Sequence, residues 1–423
     1  MENTDQITSL DYARQLDQQD ELREFRDQFH YPLQANKEPH IYFCGNSLGL
    51  QPKSTKGALE QELQSWQQLG VEGHFQGKNP WVPYHEYLTE SMSAIVGAKP
   101  HEVVVMNTLT VNLHLMLVSF YRPTKTRFKV LIEKDAFPSD RFAINSQIRF
   151  HGYDPAEALI EMNPQEGEYC LRLEDIKELI DKEGDDIALI LFGNTNYYTG
   201  QYLDIKSITT WGHQKGCTVG FDCAHAAGNI DLQLHDSACD FAVWCTYKYL
   251  NGGPGSIGTV FVHERHADNK DIPKLEGWWG HNKDTRFQMR DNFDPIYGVE
   301  SWQLSCPPVL SMVGVWSSLQ LIEKAGMDRL RKKSIKLTGY LEQLISTLGE
   351  DVIQVITPTD PTQRGAQLSL FVKNAKKDLF DTLTDKGVIV DWREPGVIRV
   401  APAPMYNSFE DVFTFYSILK SAL

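Results

Sequence analysis

No stretch of this chain is apolar for the roughly 18–20 residues that a membrane-crossing helix needs, which argues against a helix-spanning membrane protein. Basic residues are in short supply: 41 Lys and Arg stand against 56 Asp and Glu, a formal net charge of −15. Such a surface repels nucleic acid and anionic membranes, so neither is an expected partner. Cysteine is sparse, with seven residues, an odd and scattered set that contains no CxxC pair. That excludes a disulfide framework and a Cys-rich zinc site, and predicts reduced thiols in a cytoplasmic protein. The polar, acidic N-terminus has neither the apolar stretch of a signal peptide nor the Arg-rich character of a transit peptide. Internal repeats and low-complexity tracts are missing as well.

What is present is a chain of 423 residues, 41% hydrophobic and 23% charged, the balance of a globular protein too long for one ordinary domain. Residues 1–50 read as an N-terminal arm with an acidic helix, a loop and a short strand at Ile41–Leu50. Residues 51–306 alternate strands and helices. Short apolar runs at Val103–Met106, Val130–Ile132, Ile187–Phe192, Thr218–Phe221, Phe241–Cys245 and Ile257–Val262 read as buried strands. The expected fold class is α/β, a mostly parallel sheet with helices on both faces. From Pro307, residues 307–423 read as a smaller α+β domain. It has strands at Val352–Ile356, Gln367–Val372, Val388–Trp392 and Val397–Val400, and helices at Val309–Lys324, Met327–Leu348, Lys376–Lys386 and Ser408–Leu423. The basic patch on the long helix (Arg329, Arg331, Lys332, Lys333, Lys336) reads as a solvated face.

The chain is organised around residues 218–262. One strand ends in Asp222, with His225 three residues on; the next ends in Thr246, Tyr247 and Lys248, ahead of a Gly-rich bend. An acid and a lysine at neighbouring strand exits meet at the edge where open α/β sheets bind ligands. Together they suit pyridoxal phosphate: the lysine forms a Schiff base and the acid pairs with the pyridinium nitrogen. Gly253–Gly258 matches GxGxxG, but these glycines lead into a strand and enclose Pro254, so the dinucleotide reading is rejected.

Other motifs carry two readings each. Thr108-Leu109-Thr110, between a strand and a helix, is either a phosphate site or a plain N-cap. Phe137, opening Phe137-Pro138-Ser139-Asp140, either stacks on a flat ring or folds back on the core. His263 and His266 lack a third ligand and read as surface histidines, so no metal is expected. An indole of Trp278-Trp279 is a candidate to face the cofactor. Arg399, inside an apolar strand, needs an anionic partner: a substrate carboxylate or a structural ion pair.

Taken in order, FGNSLGLQP, VVMNTLTVNLHLMLVSF, AFPSD, VGFDCAHAAGN, TYKYLNGGPGS, GWWGH and IRVAPAPMYNSFEDV resemble kynureninase from about residue 20 to the C-terminus. The resemblance implies a homodimeric pyridoxal-phosphate hydrolase of the aminotransferase-like fold. By the same resemblance, Lys248 would hold the cofactor aldehyde, Asp222 the ring nitrogen, and His225 would lie beside Asp222. Phe137 would stack on the ring with Pro138, Ser139 and Asp140 close by. Leu109, Thr110, Tyr247 and Trp278 would hold the phosphate, Trp278 from the partner subunit. Arg399 would bind the substrate α-carboxylate, and His74, Ser305 and Cys306 the aromatic end. The chain departs from animal-type members at Cys306, where they carry Asn, and at Gly193, where they carry Ser.

The implied reaction is hydrolysis of the Cβ–Cγ bond of kynurenine or 3-hydroxykynurenine, giving anthranilate or 3-hydroxyanthranilate and alanine. Lys248, once displaced by the substrate amine, would act as base at Cα. Tyr247 would shuttle protons, provided its phenol pKa is lowered. An aminotransferase or cysteine desulfurase would share the Asp–Lys core, but a desulfurase needs a mobile-loop cysteine and Cys306 is followed by two prolines. A catalytically dead binding protein would not need both Lys248 and Asp222.

Overall fold

A computed structural model describes residues 4–375 and 377–423; residues 1–3, and the first residue of the helix expected at Lys376–Lys386, lie outside them. Seven strands build the central sheet: β1 (Val103–Val105), β2 (Lys129–Glu133), β3 (Leu159–Met162), β4 (Ile187–Gly193), β5 (Thr218–Asp222), β6 (Phe241–Cys245) and β7 (Gly258–Val262). Their order is β1-β7-β6-β5-β4-β2-β3. Neighbours from β6 to β3 run parallel, and β7 alone is antiparallel to both its neighbours. Strands such as IALILF and FAVWC are apolar at every position because helices cover both faces. On one face lie α1 (Leu109–Phe120) and α2 (Pro138–Phe150), packed through Leu113, Met116, Ile144 and Ile148. The other face is covered by Leu173–Glu183, Ile205–Gln214 and Val309–Ala325 through Ile176, Ile180, Ile208 and Met312. The α/β expectation holds. The edge strand β3, sequence LIEM, was not anticipated: it is short, carries a charge and is less than fully buried.

The C-terminal part forms a four-stranded antiparallel sheet, ordered Ile353–Val355, Leu368–Val372, Val397–Val400 and Asp391–Arg393. It packs against helices Met327–Ser346 and Phe409–Ala422 in a separate core. The N-terminal arm is tied to this part: Ala13 and Phe43 enter its core, and Asp17 accepts the backbone N–H groups of Phe409 and Glu410, capping the last helix. The expected solvated basic face holds for Lys332 and Lys336, which are exposed, and is corrected at Lys333 and Arg331. Lys333 is buried and paired with Asp20 at 2.7 Å, and Arg331 donates to the carbonyls of Pro361 and Arg364. The arm meets Lys333 and the 358–364 loop meets Arg331, which helical periodicity alone does not reveal.

Candidate active site

The carboxyl ends of the parallel strands meet at one sheet edge. β5 ends in Asp222, β6 runs out to Tyr247 and Lys248, β2 ends in Glu133, and α1 begins just beyond β1. Between them lies a cavity of about 160 Å³ lined by Leu109, Thr110, Phe137, Ser139, Asp140, Asp222, His225, Tyr247 and Lys248. These nine residues come from four separate segments, and all are predicted site positions. The Lys248 Nζ sits 6.0 Å from the centroids of both the Phe137 and Tyr247 rings. The turn that carries Lys248 is braced by the N-terminal arm: Gly49 donates its N–H to the Tyr247 carbonyl at 2.7 Å, and a Cβ at Gly49 would lie 2.4 Å from the Lys248 carbonyl oxygen. Only glycine permits that approach.

Asp222 is buried, and its Oδ1 accepts the Ala224 N–H at 2.7 Å. Burial raises its pKa, while Lys248 pulls it down. Asp140 faces it; burial first, then the Asp222 charge, push the Asp140 carboxyl far above the usual range, so Asp140 carries the proton the pair shares. The Asp140 Oδ1 is buried without a partner. Burial, with Lys248 next, drives the His225 pKa well down and keeps the ring neutral. One carboxyl was not anticipated. Glu133 is pushed up to about 7 by burial and accepts the Gly193 N–H at 3.1 Å on both oxygens.

These features fit the expected pyridoxal phosphate. At the start of α1 the Thr108 side chain caps nothing, which favours the anion-site reading over the plain N-cap: the first-turn N–H groups are left for an anion. The Thr110 and Ser139 hydroxyls, 2.7 Å apart, add donors beside them. The Phe137 ring, half exposed, faces the cavity and not the core.

Other expectations part from this geometry. Pro138 is the first residue of α2 and does not line the cavity. Tyr247 does not have a lowered pKa: burial, then the neighbouring Cys245 thiol, push it up, so the phenol is a neutral donor. His74, Trp278, Ser305 and Cys306 do not reach this cavity within one chain. His74 and Cys306 line a second cavity of about 380 Å³ with Trp66, Trp81 and Trp279. The Trp278 indole donates to the Arg286 carbonyl at 3.0 Å and is 47% exposed; Ser305 is exposed.

Arg399 lies outside the cavity too, yet close enough for its charge to act on His225. It pairs with Asp391, donates to the Tyr197 carbonyl at 2.6 Å and reaches the Ser47 hydroxyl at 3.2 Å, while its buried Nε has no partner. The ion-pair reading of Arg399 is thus present in the structure, with the guanidinium Nε left over. His263 and His266 are not plain surface residues. His263 stacks on His235, with centroids 5.1 Å apart, and His266 pairs with Asp240 at 2.8 Å. Of the clusters that have ligand-type side chains, Glu102–His235–His263 has its carboxylate taken by the N–H groups of Lys99 and Glu264, and His85–Glu86–Glu300 already holds the Lys283 ammonium.

Known proteins resemble this chain along nearly its whole length. Residues 330–419 match the family model described as the kynureninase C-terminal domain. The chain is 55% identical over 412 residues to a kynureninase of Myxococcus xanthus, covering 97% of both chains. It is 52% identical over 408 residues to that of Koribacter versatilis (96% of both), and 47% identical over 438 residues to that of Nematostella vectensis (98% of this chain, 94% of the other). Among solved structures, a cysteine desulfurase of Thermococcus onnurineus superposes with a TM-score of 0.74 at 18% identity, covering 90% of this chain and 94% of the other. A mutant of C-DES with glycine covalently linked to its PLP cofactor gives 0.77 at 14%, covering 93% and 98%. These two show the shared fold. The full-length identities show more: the chain belongs to the kynureninase family of enzymes.

Proposed function

We propose that the chain hydrolyses the Cβ–Cγ bond of L-kynurenine, 3-hydroxy-L-kynurenine or both, releasing anthranilate or 3-hydroxyanthranilate and L-alanine, with pyridoxal 5′-phosphate held as a Schiff base on Lys248. The observation that carries this reading is the facing of Lys248 and the buried Asp222–Asp140 pair across one cavity. When bound, the cofactor supplies an electron sink for the carbanion at Cα. With the cofactor and substrate bound, the Lys248 amine would be the group placed to take the Cα proton. Asp222 keeps the ring nitrogen protonated, supported by the hydrogen bond from Asp140. Neutral Tyr247 is a hydrogen-bond donor in the cavity, and its raised pKa does not favour the proton-shuttle role. The start of α1, with Thr110 and Ser139, holds the phosphate. The test offers kynurenine and 3-hydroxykynurenine to the holoenzyme and follows alanine. Amination of pyruvate or 2-oxoglutarate without alanine release from kynurenine would instead mark an aminotransferase.

Arg399 binds the substrate α-carboxylate in this reading, with its partnerless Nε as support. Arg399→Lys keeps the charge and loses the planar fork. A charge-assisted hydrogen bond is worth about 1.5–3 kcal/mol, so KM rises about tenfold or more while cofactor retention is unchanged. An unaltered KM would leave Arg399 with its Asp391 ion pair alone.

A homodimer is part of the reading. Exposed rings run from Phe75 to Phe287 (centroids 5.9 Å) and on to Trp278 (5.5 Å), beside Trp66, an apolar face of the kind that a second copy covers. That copy would bring its Trp278, His74, Ser305 and Cys306 to the first copy's cofactor. All seven cysteines are free and five are buried, which suits a reducing cytoplasm. The role proposed is in tryptophan catabolism and the supply of precursors for NAD synthesis. Cys306 offers a weak thiol donor where animal-type members carry an amide. Cys306→Asn should therefore raise the kcat/KM ratio of 3-hydroxykynurenine over kynurenine by about tenfold or less, and His74→Ala should lower it. A ratio that stays put, or moves toward kynurenine, in Cys306→Asn contradicts this account of specificity.

A further inference from the structure

Three carboxyl groups, not two, close the inner wall of the cofactor cavity. Glu133 leaves β2 pointing at β4, where Gly193 stands opposite and donates its N–H to both carboxylate oxygens at 3.1 Å. Gly193 is also the residue paired with Asp222 between β4 and β5, and its lack of a side chain is what admits the carboxylate: a Cβ there would lie 2.7 Å from Glu133 Oε1. Glu133 is 5% exposed, yet with Gly193 and Tyr197 it lines both the cofactor cavity and an adjoining one of about 470 Å³. It is therefore a wall between the two, a place from which a carboxyl can exchange a proton with water on its outer side.

We propose that Glu133 is a positioning residue for the reaction, a third carboxyl that sets the charge of the Asp222–Asp140 pair and, through that pair, the proton occupancy of the bound cofactor. This rests on the cofactor reading above. The groups around it are few. β5 presents Asp222, α2 presents Asp140, and the loops after β5 and β6 present neutral His225 and the Lys248 cation. The loop after β4 presents the Tyr197 phenol, and Lys134 and Asp135 adjoin Glu133 in the chain. On β3, Glu161 is engaged with Arg141 and Lys134. Burial and the Asp222 charge act in the same direction on Glu133, and its pKa of about 7 lets it change charge near neutrality. Ionised, it favours the protonated cofactor; neutral, it does not.

The test titrates the visible absorption of the holoenzyme with pH for wild type, Glu133→Gln and Gly193→Ala. The amide keeps an acceptor for the Gly193 N–H and removes the charge, so the midpoint should fall by about one pH unit, the order expected for a charge several ångströms away. Gly193→Ala pushes the carboxylate aside and should move the midpoint the same way by less. Unchanged midpoints in both variants overturn the proposal and leave Glu133 as a tie between strands. Variants that fold but lose the cofactor also overturn it, because Glu133 would then build the pocket and not tune it. A wild-type chain that shows no visible band with pyridoxal phosphate would instead overturn the cofactor reading itself.

Discussion

Lys248→Ala abolishes the visible band of the bound cofactor and all kynurenine cleavage while the protein stays folded. The expectation of an intact fold comes from the site. Among the described residues the Lys248 ammonium makes no hydrogen bond that holds elements together; it faces two aromatic rings at 6.0 Å. The turn is built from backbone contacts, Gly49 to Tyr247 and Asn251 to Lys248, which alanine leaves in place. The loss of activity follows because one amine does two jobs, covalent attachment and proton transfer at Cα. Pyridoxal phosphate should still bind, more weakly, through α1 and Asp222. A mutant that turned over at the wild-type rate would remove Lys248 from the mechanism.

Asp222→Ala has the second largest effect. It removes the anion assigned to pair with the ring nitrogen and leaves the Ala224 N–H without its acceptor. Asp140 does not substitute: without the Asp222 charge it keeps its proton for burial alone, the first cause of its raised pKa. Each tenfold in rate is about 1.4 kcal/mol, and loss of this charge should cost on the order of three such steps, with weaker cofactor binding. The step that fails is removal of the Cα proton, so substrate should bind and then stall. A loss below tenfold contradicts the role.

The Asp222–Lys248 pairing was legible because both residues end short apolar runs, and parallel strands deliver their ends to one edge. Leu109 and Thr110 were legible for the same reason, as the first helical residues after a strand. Glu133 carries the identical signal, an acid directly after Val130–Ile132, but a strand-end acid is ordinarily solvated, and only its burial sets this one apart. The partners of Arg399 could not be read: Asp391 lies in a neighbouring strand with no motif to mark it, and Ser47 and Tyr197 come from remote segments. The direction of the Tyr247 pKa depends on burial, which sequence does not state. His74 and Cys306, grouped by resemblance, share a cavity, but no periodicity signals that this cavity stands apart from Lys248 within one chain.

The most direct test of the site is chemical trapping. Borohydride reduction of the holoenzyme fixes the cofactor to the amine that holds it, and peptide mapping then identifies that amine. The chain offers a competitor: Lys274 lies 3.8 Å from the Trp302 ring, and burial lowers its pKa to about 8, which frees its amine to react with an aldehyde. The account predicts one modified peptide, the one that contains Tyr247 and Lys248, in a protein that released alanine from kynurenine before reduction and does not afterwards. A label on Lys274 or elsewhere, with Lys248 unmodified, would contradict it.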